Sequence, residues 1–495
     1  MARTRVDVWN ATDAEGDWPL VLQAYERAVA TMRGLDPPSG PPTDPVSWQF
    51  QAAIHGRADE NGDADTSDPF WCACQHGSWF FLPWHRMYLA AFERIIQFHL
   101  EDDQWALPYW YAIDPDSPKK AAVPPAFLDL TLGDNNLQTE ERSQTAKAGL
   151  PFYGDIDPVQ VGETVLQTLV AASYSTPTGQ ATFGGGERAD LSFDGGERGL
   201  LENVPHGAVH SLVGNDYDEF GQLLDPGWMG SFFTAGLDPL FWLHHANIDR
   251  LWEVWLRADA SHVNPTGDPA FLDTTFTFPA PEGGEFTWSV GEVLDTDFLD
   301  YVYESLEVPS VLAPPPGPED ERDRALTPQE ESMPPQMLGA TSDVSLASSD
   351  PVAVQMERPS RDRELDSGPA PRAYLRVEGV TGSSAAPLYG VYVNVPEGAD
   401  PREFPELRAG SFSTFGLAET SQTDDLHAGE GLTAVFDITA LRDRLAEDGR
   451  WDDARVDVSF STEVPGRPAQ ADPPRSEVEP LEPDLRARRV AIMVD

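Results

Sequence analysis

Apolar residues recur every three or four positions in several segments of the first 310 residues. In residues 17–34 the apolar positions of one face are Leu22, Tyr25, Val29 and Met32. This spacing is typical of an amphipathic α-helix. Three further helix candidates are residues 86–100, 203–213 and 238–256, the last of which begins with the favourable N-cap pair Asp238-Pro239. Loops rich in Gly and Asp separate these segments, and we predict a mainly α-helical domain over residues 1–310.

The apolar period falls to two in residues 343–495. The alternating positions are Val352, Val354 and Met356; Tyr389, Val391, Val393 and Val395; Leu432, Ala434, Phe436 and Ile438; and Val456, Val458 and Phe460. Short alternating segments with Gly and Pro between them predict an all-β, sandwich-like C-terminal domain. Residues 311–342 are rich in Pro and charge, and no aromatic residue occurs between Tyr303 and Tyr374. This composition predicts an exposed linker between the two domains.

The chain is strongly acidic. Its 33 Lys and Arg face 83 Asp and Glu, which gives a formal net charge of −50. Such a surface repels nucleic acids and anionic membranes, so we expect neither as a partner. Lysine occurs only at Lys119, Lys120 and Lys147. This composition is typical of proteins adapted to high salt, where self-repulsion is screened, or of acidic proteins from GC-rich genomes.

The N-terminal residues, the apolar runs and the cysteines indicate the cellular compartment. The N-terminal residues contain no apolar stretch with a cleavage site, and no long apolar run occurs in the chain. We therefore expect a cytoplasmic protein without a transmembrane helix. The two cysteines, Cys72 and Cys74, are too close in sequence to bridge one another easily, so we expect no disulfide framework.

Eight of the ten histidines lie in three short windows. These are His55; His76, His85 and His99; and His206, His210, His244 and His245. A single buried histidine is usually a hydrogen-bonded core residue, and isolated zinc ligands are a second alternative. Here the histidines lie in aromatic segments with few carboxylates or thiols nearby, and such an imidazole-rich set suits copper or zinc. Two groups of three predict a dinuclear centre in a helix bundle.

Three histidine segments together carry a resemblance to a known family. The segments "HGSWFFLPWHRMYLAAFE", "ENVPHGAVHSLVG" and "DPLFWLHHANIDRLW" resemble those of the type-3 copper proteins, which are tyrosinases, catechol oxidases and hemocyanins. The chain is most similar to plant-type polyphenol oxidases over about residues 20–305. Beyond the linker, "VAVQMERPSR", "VYVNVP" and "RAGSFSTFG" resemble the C-terminal domain of those enzymes. The resemblance implies a four-helix bundle that holds two copper ions and a C-terminal domain that shields them.

The resemblance implies a ligand set. His55, His76 and His85 would hold the first copper ion, and His206, His210 and His245 the second. His244 would be a neighbour, because adjacent helical residues point about 100° apart and both can hardly face one metal ion. The apolar shell that keeps water away would consist of Trp79, Phe80, Phe81 and Trp84, with His85 at the start of its helix.

Other residues of the centre have implied roles with simpler alternatives. Cys74, two residues before His76, would form a thioether to its ring, or else is a small buried thiol. Phe232 would be the gate over the first copper ion. Glu202 would hold an active-site water, or else is a capping or surface carboxylate.

A second group of residues would support the centre from outside. Asp249 would orient a copper ligand through a hydrogen bond, or else form a salt bridge with Arg250 or Arg257. Arg3 or Arg5 would stack on the motif Tyr301-Val302-Tyr303, which resembles the Tyr-x-Tyr motif that closes the catalytic domain of this family.

The activity implied is the oxidation of o-diphenols to o-quinones by dioxygen. The family places an Asn after the first histidine of the second copper site when monophenols are also hydroxylated. Gly207 stands there in this chain, and Ser211 follows the next ligand, which favours a catechol oxidase. The alternatives are a tyrosinase that also hydroxylates monophenols and a hemocyanin-like oxygen carrier.

The C-terminal domain has two interpretations. It would keep the enzyme latent until the linker is cut, or else it is an inert stabilising domain. The expected partners are dioxygen and small phenols. Because the domain contains no cysteine that could deliver copper, we also expect a separate copper-delivery protein.

Overall fold

The structure is a computed structural model. It describes residues 2–10, 18–128, 135–154, 156, 158–176, 179–188, 191, 196–218, 220–309, 312, 335–346, 351–356, 371–382, 386–423, 429–464 and 484–495. Most of the predicted linker therefore lies outside the described residues.

The N-terminal domain is mainly helical with long loops, as predicted. Its α-helices are α1 Leu20–Arg33, α2 Trp48–His55, α3 Phe81–Leu100, α4 Gln144–Lys147, α5 Pro158–Leu169, α6 Gly207–Gly214, α7 Pro239–Ala258 and α8 Pro269–Leu272. A π-helical turn, Glu202–His206, leads directly into α6. The carboxylate of Asp238 caps α7 by accepting a hydrogen bond from the backbone N–H of Leu240.

Two differences from the predicted helices affect the histidines. Helix α2, which carries His55, follows no long apolar period and was not predicted; it is short, and Ser47 caps it. Helix α3 begins at Phe81, one turn before His85, so this histidine lies inside the first turns rather than at the start. The longest helices, α3 and α7, pack together through stacked rings of Phe92 and Trp242, whose planes differ by 11°.

Small strands complete the N-terminal domain. They are β1 Arg3–Arg5, β2 Ser175–Thr176, β3 Gly185–Gly186, β4 Asp216–Tyr217, β5 Leu223–Asp225, β6 Thr275–Pro279, β7 Glu285–Ser289 and β8 Tyr301–Tyr303. Strand β1 pairs in parallel with β8, so that the first and last strands of this domain lie side by side. No helix in the described ranges has the length and apolar character needed to cross a membrane.

The C-terminal domain consists of two four-stranded antiparallel sheets around one shared apolar core, in agreement with the predicted β-sandwich. Its strands are β9 Gln336–Ser345, β10 Val352–Gln355, β11 Ala373–Thr381, β12 Leu388–Val393, β13 Arg408–Ser413, β14 Leu432–Asp437, β15 Arg455–Glu463 and β16 Arg486–Val494. One sheet has the order β10-β15-β12-β13, and the other has the order β14-β11-β16-β9. Two helices, α9 Leu417–Thr420 and α10 Thr439–Glu447, flank the sheets.

The predicted linker is too long at its C-terminal end. Strand β9 begins at Gln336 and pairs along its length with β16, so residues 336–342 belong to the C-terminal domain. The alternation rule missed this strand because it is an edge strand, most of whose side chains are exposed or half-buried.

The two domains contact each other beside α6. An isolated β-bridge joins Glu197 to Thr433 of β14, and the carboxylate of Glu197 lies 2.9 Å from the guanidinium of Arg376. The residues on the helical side of this contact immediately precede the π-helical turn that carries His206. The interface is therefore built next to the histidine cluster.

Candidate metal centre

Two groups of buried histidines meet between α2, α3, α6 and α7. The first consists of His55, His76 and His85, and the second of His206, His210, His244 and His245. Within each group the ligand atoms lie within 4.8 Å of one another. His76 comes from the loop before α3, whereas the others lie on helices or the π-helical turn. The two groups adjoin, since the rings of His85 and His245 stack with centroids 4.7 Å apart.

Backbone carbonyls fix the orientation of four imidazoles. The Nδ1 atoms and their acceptors are His55 with the carbonyl of Phe232 at 3.0 Å, His85 with Phe81 at 2.8 Å, His206 with Glu202 at 3.2 Å and His210 with Met229 at 2.8 Å. A carbonyl only accepts, so each Nδ1 carries the proton and each Nε2 has a free lone pair. This tautomer is the one that an Nε2 metal ligand requires.

The cluster is buried and uncharged. Burial lowers the pKa of His55 to about 4 and that of His244 to about 3. The pKa values of His76, His85, His206, His210 and His245 are well below the usual histidine range, first because of burial and then because neighbouring imidazoles repel a second charge. The rings are therefore neutral at physiological pH, which is the state that binds a metal ion.

The nitrogen atoms meet the requirements of a metal site. The Nε2 atoms of His55, His76, His85 and His206 are buried and have no hydrogen-bond partner. The Nε2 atoms of His210 and His245 lie 3.1 Å apart, which suits two ligands of one ion. Unpaired buried nitrogens are costly, and a copper ion on each histidine group would satisfy them.

His244 is inside the second group, and the geometry does not separate it from His245. Its ring is stacked against that of His206, with centroids 5.6 Å apart and planes at 14°. Its assignment as a neighbour rather than a ligand remains a prediction.

An aromatic shell surrounds the imidazoles, but only partly as predicted. Phe81 lies 4.6 Å from the ring of His85, and Trp84 lies 4.8 Å from it. Trp79 and Phe80 instead pack on Phe271, away from the histidines. A further ring, Phe241, contacts both groups, at 5.0 Å from His55 and 4.2 Å from His245. Sequence reasoning missed Phe241, although it lies one helical turn before His245 and so faces the same side.

The two cysteines have different environments. The Sγ of Cys74 is fully buried and lies 3.3 Å from Nδ1 of His76. This contact permits the predicted thioether, which remains a prediction; neither cysteine forms a disulfide. Cys72 donates to the carbonyl of Arg57 at 3.3 Å, and burial raises the pKa of its thiol to about 11. Cys72 is therefore an unreactive structural thiol.

Glu202 is a buried carboxylate beside both histidine groups. Its two oxygens accept from the backbone N–H of Gly77, at 2.9 and 3.0 Å, next to His76. Its backbone carbonyl accepts from His206. The guanidinium of Arg198 lies 3.5 Å from the carboxylate. Glu202 is thus not a surface carboxylate, and its predicted role of holding a water stays a prediction.

Phe232 lies over the first histidine group, where the gate was predicted. Its ring stacks on His76, with centroids 4.5 Å apart and planes at 13°. On its other side it meets Phe415 of the C-terminal domain at 4.7 Å. Gly416 follows with a φ of 76°, and a β-carbon there would overlap the Phe232 ring. Phe232 is consequently fully buried.

Phe415 covers the second histidine group. Its ring is parallel to that of His210, with centroids 4.1 Å apart, and 5.7 Å from that of His206. The sequence motif "RAGSFSTFG" marked this segment as part of the C-terminal domain. No periodicity could have indicated that one of its side chains enters a different domain.

One of the two positions expected to tune activity, Gly207, lies against the covering segment, residues 408–416. A β-carbon on Gly207 would be 2.7 Å from the hydroxyl oxygen of Ser413. Ser211 is buried on the next turn of α6. Asn203, which sequence reasoning did not single out, donates to the carbonyl of Ser411 and accepts from the N–H of Ser413.

Asp249 does not orient a histidine, and it does not pair with Arg250 or Arg257. Its carboxylate instead bonds to the guanidinium groups of Arg86 and Arg5 and to the hydroxyls of Tyr301 and Tyr303. Although burial opposes ionisation, the two arginines lower the pKa of Asp249 below its usual value. The carboxylate joins α7 to α3, β1 and β8. Arg5 is also the arginine that stacks on Tyr301, at 3.6 Å from the ring centroid.

Two adjoining imidazole groups in a buried helix bundle define a protein with a dinuclear metal site of a kind that suits copper. Family comparison gives the same class. Residues 45–258 match the common central domain of tyrosinase, and residues 331–474 match a domain of unknown function, DUF7868.

Relatives extend this assignment to nearly the whole chain. The chain is 30% identical over 491 residues to the tyrosinase HcTyr1 of Hahella sp. (strain CCB-MM4), covering 92% of this chain and 95% of the relative. It is also 30% identical over 301 residues to the aureusidin synthase of Antirrhinum majus, covering 58% of this chain and 50% of that relative. It thus spans about half the length of this plant relative. The chain belongs to the tyrosinase family of type-3 copper proteins, and it is an oxidoreductase with a dinuclear copper cofactor.

Solved structures match across both domains. Latent apple tyrosinase superimposes with a TM-score of 0.62 at 22% identity, covering 100% of this chain and 97% of that one. Latent aurone synthase, a polyphenol oxidase, gives a TM-score of 0.62 at 23% identity, covering 100% and 89%. This likeness establishes the two-domain fold.

Proposed function

We propose that this protein oxidises o-diphenols to o-quinones with dioxygen, and that its C-terminal domain keeps it latent until that domain is displaced. The observation that carries the proposal is the parallel stacking of Phe415 on His210. A planar aromatic ring therefore fits against the second histidine group, which is the surface a flat phenol needs. In this chain the ring that fills the position comes from the C-terminal domain.

Residues around the two histidine groups orient the imidazoles, exclude water and would position the phenol. His55, His76 and His85 would hold one copper ion and His206, His210 and His245 the other, and the pair would supply dioxygen binding and electron transfer. The carbonyl anchors on Nδ1 hold the imidazoles in place, and the apolar rings of Phe81 and Phe241 exclude water from them. A phenol ring would lie on His210 beside Phe232. Glu202, fixed by the N–H of Gly77, would hold a water beside both histidine groups.

Docking of the C-terminal domain supports latency. Phe415 is almost fully buried between His210, His206 and Phe232, so a phenol and this ring exclude one another. Asn203 makes two hydrogen bonds to the backbone of β13, and Ser231 donates to the carboxylate of Glu419 at 3.1 Å. These contacts are polar, as is typical of interfaces that separate.

The absence of a side chain at position 207 supports diphenol oxidation over monophenol hydroxylation. Gly207 offers no polar group that could help Glu202 to deprotonate a phenol. We therefore propose a catechol oxidase rather than a tyrosinase that also hydroxylates monophenols.

The test is an activity assay on the copper-loaded, full-length protein. Catechol and tyramine are supplied before and after limited proteolysis or a low concentration of detergent, and quinone absorbance is recorded. We expect little quinone from catechol before treatment, rapid formation afterwards, and none from tyramine. No quinone from catechol after either treatment would contradict the oxidase and leave the oxygen carrier; full activity before treatment would contradict latency.

A further inference from the structure

Phe415 makes contacts with the copper domain at both ends of the residue. Its ring stacks on His210, and its backbone carbonyl oxygen accepts a hydrogen bond from Nη2 of Arg198 at 2.8 Å. Arg198 is buried, with 7% of its surface exposed. One residue thus spans the distance between the aromatic position at the metal centre and a guanidinium group.

The covalent structure of a phenylalanine residue is that of a 3-arylpropanoic acyl group. Two carbons, Cβ and Cα, separate its ring from its carbonyl carbon. A catechol on a propanoate or propenoate chain has the same separation between ring and carboxylate. If its ring occupied the position of the Phe415 ring, its carboxylate would reach the position of the Phe415 carbonyl.

We propose that Arg198 is a substrate-specificity residue, which binds the carboxylate of diphenols that carry a three-carbon acid side chain. The inference rests on the proposed diphenol oxidation. Arg198 belongs to the copper domain, and its contact with Glu202 lies within that domain, so it does not depend on the C-terminal domain. When Phe415 leaves, a substrate carboxylate can take the place of its neutral carbonyl as the acceptor for Arg198. The hydrogen bond to the carboxylate is charge-assisted and therefore stronger than the one to the carbonyl.

The charges around Arg198 fit this role. Glu202 lies 3.5 Å from the Nε edge of the guanidinium, whereas Phe415 accepts from Nη2. The two acceptors therefore use different nitrogens, and an acid can replace the carbonyl while Glu202 keeps its contact. The chain carries a net charge of −50, which repels anions in general. Recognition of an acidic phenol therefore needs a local cation such as this one.

The experiment uses full-length, copper-loaded protein in which the covering segment is displaced by Gly416→Val. A β-branched residue is strained at a φ of 76°, and its β-carbon would overlap Phe232. Wild-type protein activated by a low concentration of detergent provides a second open form if this variant folds poorly. The substrates are dihydrocaffeate, which is a catechol on propanoate, and its neutral methyl ester. Protocatechuate and homoprotocatechuate, with zero and one spacer carbons, are measured with their esters.

The measured quantity is the ratio of kcat/KM for the acid to that for its ester. We expect the ratio to be highest for dihydrocaffeate, and Arg198→Gln to lower it by about 10- to 100-fold, mainly through KM, as for loss of a hydrogen bond to a charged group. The matched control is Arg376→Gln, which removes another interface arginine, one that pairs with Glu197. It should leave the ratio unchanged.

The outcomes distinguish the two proposals. An unchanged ratio in Arg198→Gln, or a maximum at another spacer length, with the esters still oxidised, would overturn the role of Arg198 and leave the proposed oxidase intact. If no ester is oxidised in either open form, both proposals fail. A lysine at this position, Arg198→Lys, should recover part of the preference for the acid, because it restores the positive charge without the planar fork.

Discussion

Gly207 and Ser413 belong to different domains but lie so close together that a side chain on Gly207 would overlap Ser413. A β-carbon on Gly207 would lie 2.7 Å from the Ser413 hydroxyl oxygen and 2.9 Å from its β-carbon. That hydroxyl in turn accepts from the N–H of Phe415 at 3.2 Å. The glycine thus has a packing role in addition to any effect on substrate choice, because it lets the covering segment approach α6.

Gly207→Ala should therefore activate the uncleaved protein. The methyl group would displace Ser413 at a cost of about 1–3 kcal/mol, typical of overpacking, while alanine is the better helix former. We expect about a 10-fold rise in catechol oxidation without proteolysis, at that energy scale. The double variant Gly207→Ala/Ser413→Gly has room for the methyl group and should be less active than the single variant. Equal activity of the two would show that the contact does not control access.

Phe415→Ala should also raise the activity of the uncleaved chain, because it removes the ring that covers His210. Quinone formation from catechol measures the effect. Phe412→Ala is the control: Phe412 is a buried ring of β13 that stacks on Tyr389 inside the sandwich. Each truncation should destabilise the protein, by up to about 3–5 kcal/mol for a buried phenylalanine. If both variants gain the same activity, loosening of the domain rather than removal of the ring would be responsible.

Copper content distinguishes His245 from His244. His245→Ala should lower the content of fully loaded protein from two copper ions to one, as judged by elemental analysis. His244→Ala should keep both ions. His262→Ala is a further control, since His262 is buried but stacks on Trp255, outside the cluster. The opposite result for His244 and His245 would exchange their assignments.

The sequence predicted most of the metal centre and a C-terminal domain that shields it, but not the residue that covers the histidines. The predicted histidine ligands lie in specific local motifs, and the structure brings them together in two groups, the second of which also contains His244. Helix α2 escaped prediction because eight residues are too few for a clear apolar period. Phe415 and Arg198 escaped because their roles arise from contacts between domains, which no local pattern encodes. Asp249 was assigned to the wrong partners, because its bonds join segments distant in the chain.

Asp249→Asn should strongly destabilise the protein. The carboxylate is buried between two arginines, and breaking such a pair typically costs about 3–5 kcal/mol. Urea unfolding of the copper-free protein measures the free energy of unfolding. Asp300→Asn is the control, because that carboxylate is 58% exposed in its pair with Arg3 and should contribute at most about 1 kcal/mol. Equal effects would contradict a central role for Asp249.

Cys74 should not react with alkylating agents once the thioether forms, whereas Cys72 should react when the protein is denatured. We expect the peptide that contains Cys74 and His76, taken from active protein, to be lighter by two hydrogen atoms. In denatured protein only Cys72 should react with iodoacetamide. Mass spectrometry with fragmentation locates both changes. Alkylation of Cys74 to the same extent as Cys72 would show that the thiol stays free.

Because β1 pairs in parallel with β8, residues 3–5 lie beside residues 301–303, which precede the linker. A protease that cuts between residues 313 and 334 would leave this pairing untouched, along with all of β9. After such a cut the C-terminal domain could separate from the copper domain, and the paired strands β1 and β8 would stay together.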